Sequence, residues 1–250
     1  MRVYEYLLKK SRAVIPVSRY LGDRICEKTG IAEERIVVIP ISIDGAGFGR
    51  HAAGESPDDG FEDQALVLTV TNFRFPDKVS SLEVFFPSII RFLELYPAAV
   101  FCVAGGGPYL EAFREKVGNL VRPLERRIRF LGFVQDLKPL YARARVFVYF
   151  SRLDALPRAV LEAQASGLPI IANAFGGIRE LIHDGVTGLL VDSEDGFVRA
   201  AQTLFEDAPF RERLGRQARE FANKSYSPQA VGSQWIKALT WIRSGHDISA

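Results

Sequence analysis

The stretch "VFVYFSRLDALPRAVLEAQAS", residues 146–166, runs from a continuous apolar segment through a short polar loop and a proline into an amphipathic segment. A run that is apolar at every position, rather than at alternate ones, suits a strand buried on both faces of a parallel sheet. Leu156 precedes a proline and is pushed out of helical geometry, whereas Pro157 suits the first helical position, where no N–H partner is needed. The stretch reads as strand, loop and helix, with the helix starting near Pro157. The same unit recurs on either side. "LVLTV" leads to "SSLEVFFPSIIRFLELY", "AVFCVAG" to "YLEAFREKV", "RIRFLG" to "DLKPLYARA", "PIIANA" to "IRELIHD" and "TGLLVD" to "GFVRAAQTLFED". Strand and helix units in such a series predict a doubly wound α/β domain with a parallel sheet.

Working outward, "RAVIPVS", a helix over about residues 19–29 and "RIVVIP" come first. They are followed by "SIDGAGFGRHAAGESPDDGFEDQ", whose Gly, Pro and acidic residues without periodicity mark a loop. The resulting division is 1–43, a linker at 44–64, an α/β domain at 65–208 and carboxyl-terminal helices at 209–250. Those helices are "FRERLGRQAREFANKSY" and "PQAVGSQWIKALTWIR", separated at Ser227-Pro228.

Composition narrows the function classes. Lys and Arg number 32 against 30 Asp and Glu, a formal charge of +2 that gives no footprint for nucleic acid. Cys26 and Cys102 are too few and too far apart for a disulfide framework, and both read as core thiols in a reducing compartment. No apolar run approaches the roughly 18 residues of a membrane span, and charged residues interrupt the start "MRVYEYLLKKSRAVIPVS", so a cytoplasmic location is expected. Peripheral membrane association stays compatible with this composition. His51, His183 and His246 are scattered without metal-ligand spacing, and no Gly-x-Ser-x-Gly elbow supports acyl transfer.

Ligands of open parallel sheets bind outside the carboxyl ends of the strands, so the loops that follow the strands carry the chemistry. In the opening stretch, the N–H groups from Arg158 onward form an anion site at the helix start. Asp154 lies just outside it and Glu162 in the second turn. With a diphosphate at the helix start, the two carboxylates flank it and accept hydrogen bonds from hydroxyls on either side, which is the layout of a nucleotide sugar. The alternative is a turn aspartate and a solvated helix glutamate. "RFPDKVSS" puts Arg74 and Lys78 just ahead of a helix, where cations would stabilise charge on a departing nucleotide, although basic residues in such places are commonly solvated. Gly105, Gly106 and Gly107 permit close backbone approach to a ligand or serve a tight turn. Gly176 and Gly177, ahead of Glu180, offer the same two readings. The dinucleotide fingerprint and the P-loop are both missing from the sequence.

Together these loops resemble the donor-binding domain of retaining GT-B glycosyltransferases, glycosyltransferase family 4 (glycosyl transferases group 1). "DALPRAVLEAQASGLPIIANAFGGIRELIHDGVTGLLV" looks like the family's Glu-x7-Glu segment followed by its Gly-Gly-x-x-Glu and Gly-x-Thr-Gly-Leu-Leu-Val elements. "AGGGPYLEAF", "RIRFLGFVQDLKPLYARARVFVYFSRLDALP", "VSRYLGDRI" and "RIVVIPISID" follow the family's order and spacing, so the resemblance runs from about residue 11 to the end. It implies the Rossmann-like carboxyl-terminal half of a GT-B fold, with a remnant of the amino-terminal domain, and transfer of a hexosyl group with retention from a UDP- or GDP-linked donor to a glycan, lipid or other acceptor. By the same resemblance Glu162 binds the ribose and Asp154 the hydroxyls of the transferred sugar, while Lys78 binds the diphosphate and assists its departure. Backbone over Leu156, Pro157, Arg158 and Ala159 meets the diphosphate and sugar, backbone near Val134 meets the base, and no metal cofactor is expected.

Three departures from the family pattern are visible. The first acid is Asp154 where the family has Glu. Asn72-Phe73 stands where Gly-Arg is usual, with Arg74 one place late. Only the last strand and helix of the amino-terminal acceptor domain are expected here, which leaves open an acceptor-domain partner chain and predicts that the helices bearing Trp235 and Trp241 expose apolar surface. A noncatalytic nucleotide-sugar binding module and a sugar-nucleotide epimerase relative are the competing readings.

Overall fold

The computed structural model describes residues 3–48 and 64–244; His51, His246 and most of the expected linker lie outside them. The chain opens with α1 (Val3–Lys10), a helix not anticipated from the sequence, whose Tyr4, Tyr6 and Leu7 are exposed. Helix α2 (Arg19–Thr29) occupies the expected place, capped by the Ser18 side chain accepting from the Leu21 N–H and closed by left-handed Gly30 at φ 69°. The segments flanking α2 do not form the strand expected there. They meet through one isolated parallel bridge, Val14 to Ile36. Pro16 and Pro40 bring no N–H to a ladder, so the pairing stays short. A 3-10 turn at Gly45–Gly47 follows, with Asp44 accepting from the Ala46 N–H.

The six apolar runs are six strands: β1 (Ala65–Val70), β2 (Ala99–Ala104), β3 (Ile128–Gly132), β4 (Val146–Tyr149), β5 (Ile170–Asn173) and β6 (Leu189–Val191). All pair in parallel, in the order β3-β2-β1-β4-β5-β6. The order reverses direction between β1 and β4, and at such a switch point the connections on either side diverge and leave a crevice at the carboxyl ends of the strands. Helices α3 (Pro76–Leu95), α4 (Leu110–Val121), α5 (Lys138–Arg143), α6 (Arg158–Ala165) and α7 (Ile178–Leu181) cross between strands, and α8 (Glu194–Glu206) follows β6.

The two faces of the sheet bury separate cores. One joins α3, α4 and α8 through a phenylalanine-rich cluster in which Phe85 stacks on Phe150 at 3.9 Å. The other joins α5, α6 and α7 to Leu66, Leu68, Phe147 and Tyr149. Cys102 belongs to this second core, whereas Cys26, expected to be buried, is half-exposed on α2. Helix α9 (Ala208–Tyr226) lies on α6, where a Cβ on Gly215 would sit 2.2 Å from the Gly167 carbonyl oxygen. Helix α10 (Pro228–Arg243) buries Val231 and Ala238 against Ile39 and leaves Trp235, Ile236 and Leu239 exposed, while Trp241 is half-buried. Among the described residues, no helix is long and apolar enough to cross a membrane.

Candidate functional site

At the switch point a cleft of about 780 Å³ opens between the loops after β1, β2, β3 and β4. It gathers Arg74, Lys78, Val134, Asp154, Leu156, Pro157, Arg158, Ala159 and Glu162, residues spread over nearly ninety positions of sequence, along with Gly105, Gly106 and Gly107. Gly176 and Gly177 are not among the residues that line it. They stand behind the β4 loop: a Cβ on Gly177 would meet the Ala155 carbonyl oxygen at 1.5 Å, and one on Gly176 would meet the Tyr20 ring at 3.0 Å. Their work is to let this loop pack closely on the start of α7. Glu180, one turn on, accepts the Arg19 and Tyr20 backbone N–H groups at 2.9 and 2.7 Å and so ties α2 to the α/β domain.

Lys78 is not in the loop ahead of α3 but inside its first turn, because Pro76 already occupies the first helical position. Nor is it solvated. Its side chain is only 8% exposed and its Nζ lies 3.1 Å from Asp154 Oδ1. Asp154 Oδ2 accepts from Tyr149 Oη at 2.7 Å and from Ser151 Oγ at 2.5 Å. Lys78 Nζ also stands 5.9 Å from the centre of the Tyr149 ring. Burial, followed by the charge of Asp154, pushes the Tyr149 phenol well above its ordinary pKa, so it remains a hydrogen-bond donor. Arg74 reaches the cleft rim and is exposed.

The second acid has a parallel arrangement. Glu162 Oε2 accepts from Tyr141 Oη at 3.0 Å, and Oε1 accepts from Arg158 Nε at 2.9 Å. Tyr141 is fully buried, and burial together with the Glu162 charge pushes its phenol well up. Between the acids lies the start of α6. Pro157 sits one place before the helix, with φ −71° and ψ 115°, so the expected helix start at Pro157 moves to Arg158. A proline φ suits either position, and the extended ψ decides. The Pro157 carbonyl already accepts from the Val160 and Leu161 N–H groups. At this helix start it leaves the Arg158 and Ala159 N–H groups as free donors on residues that line the cleft.

The glycines after β2 are required by chain packing. Gly105, at φ 137°, would put a Cβ 1.6 Å from the Thr71 carbonyl oxygen, and Gly107, at φ 152°, 2.4 Å from that of Phe73. Sequence reasoning missed Tyr149 and Tyr141, hidden in apolar patterns, and Phe133, an 83% exposed ring at the cleft rim. It also missed Thr71, whose buried Oγ1 has no partner. A smaller pocket of about 320 Å³, bounded by Phe48, Lys138 and Glu162, extends this cleft toward the 3-10 turn. A separate crevice of about 710 Å³ at the ends of β5 and β6 carries Arg91, Arg152 and Arg179 against Asp192, Glu194 and Asp195, a balanced set in which Arg91 pairs with Asp195. Among the described residues, no three His, Cys, Asp or Glu side chains are grouped to hold a metal ion. His183 packs its ring on Phe221.

The fold and cleft can be set beside known proteins. The N-acetyl-alpha-D-glucosaminyl L-malate synthase of Bacillus anthracis is 28% identical over 176 residues, covering 70% of this chain and 45% of the relative. An uncharacterized glycosyltransferase of Methanocaldococcus jannaschii is 28% identical over 246 residues, covering 93% of this chain and 61% of the relative. Anabaena HepE, solved in complex with UDP-glucose, has a TM-score of 0.84 at 19% identity, covering 96% of this chain and 67% of HepE. The chain thus spans between about half and two thirds of these proteins, and its six-stranded parallel α/β fold is that of GT-B glycosyltransferase structures. The profile of the glycosyl transferases group 1 covers residues 64–207, more than half of the sequence and all six strands, and the chain belongs to that family.

Proposed function

We propose that this chain carries the nucleotide-sugar site of a retaining glycosyltransferase of family 4, which moves a hexosyl group from a UDP- or GDP-linked donor to a glycan, lipid or other acceptor. The observation that carries the reading is the cleft itself: Lys78, the free Arg158 and Ala159 N–H groups and two tyrosine-held carboxylates converge on one space. The helix start and Lys78 take the diphosphate, Glu162 the ribose hydroxyls and Asp154 the hydroxyls of the sugar. The bond from the anomeric carbon to the diphosphate oxygen breaks with its electron pair passing to the diphosphate. The acceptor hydroxyl oxygen forms the new bond to the anomeric carbon, and its proton passes to the departing diphosphate oxygen. Lys78 and the helix start stabilise charge where it develops on the leaving group. The proposal includes no metal cofactor. The UDP-glucose bound by HepE makes UDP-sugars the first donors to try.

Calorimetric titration with UDP-, GDP- and ADP-sugars tests this directly. One nucleotide class is expected to bind, and Glu162→Ala is expected to weaken it by about 1–3 kcal/mol. A folded chain that binds none of them would refute the donor site. Conversion of free donor into its epimeric nucleotide sugar without an acceptor would instead mark an epimerase.

A further inference from the structure

We propose that Tyr149, assisted by Ser151, is the positioning residue that sets the Asp154 carboxylate for the hydroxyls of the transferred sugar. The proposal rests on the donor-site reading above. An aspartate is one methylene shorter than the glutamate that the family pattern has at this place, so its carboxylate stays close to its own backbone and must be aimed by its surroundings. Here three donors aim it. Tyr149 Oη and Ser151 Oγ both approach Oδ2, at 2.7 and 2.5 Å, and Lys78 Nζ approaches Oδ1 at 3.1 Å. A carboxylate offers about four acceptor directions. The remaining one belongs to the fifth of the side chain that is exposed to the cleft.

Of the three donors, Tyr149 is the fixed one. It ends β4, its backbone pairs with Ala172, its side chain is 1% exposed and its ring stacks on Phe147 at 15°. Its hydroxyl therefore has no alternative position. Lys78, on a flexible stem, is the donor that a diphosphate would draw away. Once it moves, Tyr149 and Ser151 alone hold Asp154 in place. Ser151 is held in turn by its neighbours, since its Oγ accepts from the Leu153 and Asp154 N–H groups and its backbone N–H donates to Asn173 Oδ1.

The test measures UDP and UDP-glucose by calorimetry on the full chain and on Tyr149→Phe, with thermal melting alongside. The gain in affinity of UDP-glucose over UDP reports the sugar end of the site. In Tyr149→Phe, UDP is expected to bind within about twofold of the wild-type chain, while the sugar-dependent gain falls about tenfold or more. An unchanged gain overturns the proposal, as does an equal fall for both ligands, which a purely structural phenol would give. A wild-type chain that binds UDP but gains nothing from glucose, N-acetylglucosamine or galactose overturns it too. If Tyr149→Phe fails to melt cooperatively, Ser151→Ala reads the same carboxylate from its other hydroxyl and is expected to lose the gain in the same direction. A wild-type chain that binds none of the UDP-, GDP- or ADP-linked pairs refutes the donor-site reading itself, and this proposal falls with it.

Discussion

The Lys78–Asp154 pair can be weighed by a double-mutant cycle. At 3.1 Å and an effective dielectric of about 20, the gross attraction is about 5 kcal/mol. The desolvation of each charge falls in the single variants and cancels in the cycle, while relaxation and cleft water screen the pairwise attraction, leaving an expected coupling of about 1–3 kcal/mol. The single variants are expected to differ. Lys78→Met keeps an apolar stem of similar length and leaves Asp154 with the Tyr149 and Ser151 hydroxyls, for a loss of about 1–2 kcal/mol. Asp154→Asn strands an ammonium that is 8% exposed, with the Tyr149 ring as its nearest compensation, for about 2–4 kcal/mol. Urea unfolding of the ligand-free chain at neutral pH, followed by circular dichroism, measures all four corners of the cycle. A coupling under about 0.5 kcal/mol, the range of independent sites, would show that the pair does not form in the ligand-free protein.

Other outcomes follow from the geometry. The Tyr226 phenol is pushed up to about 12 by burial and then by the Glu180 charge. A raised pKa gives stability that is fully present below the unfolded value near 10 and is lost as pH rises through the folded value. Urea unfolding above about pH 10 is therefore expected to lose up to about 1.4 kcal/mol per pH unit through this proton, a share of the slope that Tyr226→Phe removes. Gly177→Ala places a methyl on the Ala155 carbonyl, so the β4 loop must shift. A stability loss of about 1–3 kcal/mol by urea unfolding and weakened donor binding are expected. Glu180→Gln keeps the shape but removes a charge that accepts two N–H groups at the start of α2, and is expected to cost about 0.5–2 kcal/mol and to speed hydrogen exchange in α2.

What could be read from the sequence divides along physical lines. Strands buried on both faces must be apolar throughout, so Leu66, Val100, Phe147 and Ile171 announced themselves, and the turns between them fell where expected. Asp154 and Glu162 stood out because a proline fixed the helix start between them. Tyr149 and Tyr141 did not, since a phenol inside an apolar run looks like any other core ring until its hydroxyl meets an acid. The burial of Lys78 was equally invisible, because its partner Asp154 lies in the loop after β4, more than seventy positions further along the sequence. Gly176 and Gly177 left a ligand contact and a structural turn both open in the sequence, and the 1.5 Å approach of a Gly177 Cβ to the Ala155 carbonyl oxygen is a packing requirement that only the folded chain displays. In α1, Tyr4 and Leu7 lie on one side and Tyr6 on another, and all three are exposed, so no single buried face announced the helix.

Within the cleft each acid holds a cation of the protein, Asp154 with Lys78 and Glu162 with Arg158. Donor entry under the proposed assignment is then an exchange of partners: phosphates take the cations, and ribose and sugar hydroxyls take the acids. The exchange is complete only while the sugar is attached. After transfer the nucleotide diphosphate keeps Lys78 but returns nothing to Asp154, which is left beside two hydroxyls and a displaced lysine. Under that assignment the return of Lys78 to Asp154 would compete with the spent nucleotide and favour its departure, so the ion pair of the ligand-free cleft would also help clear it for the next donor.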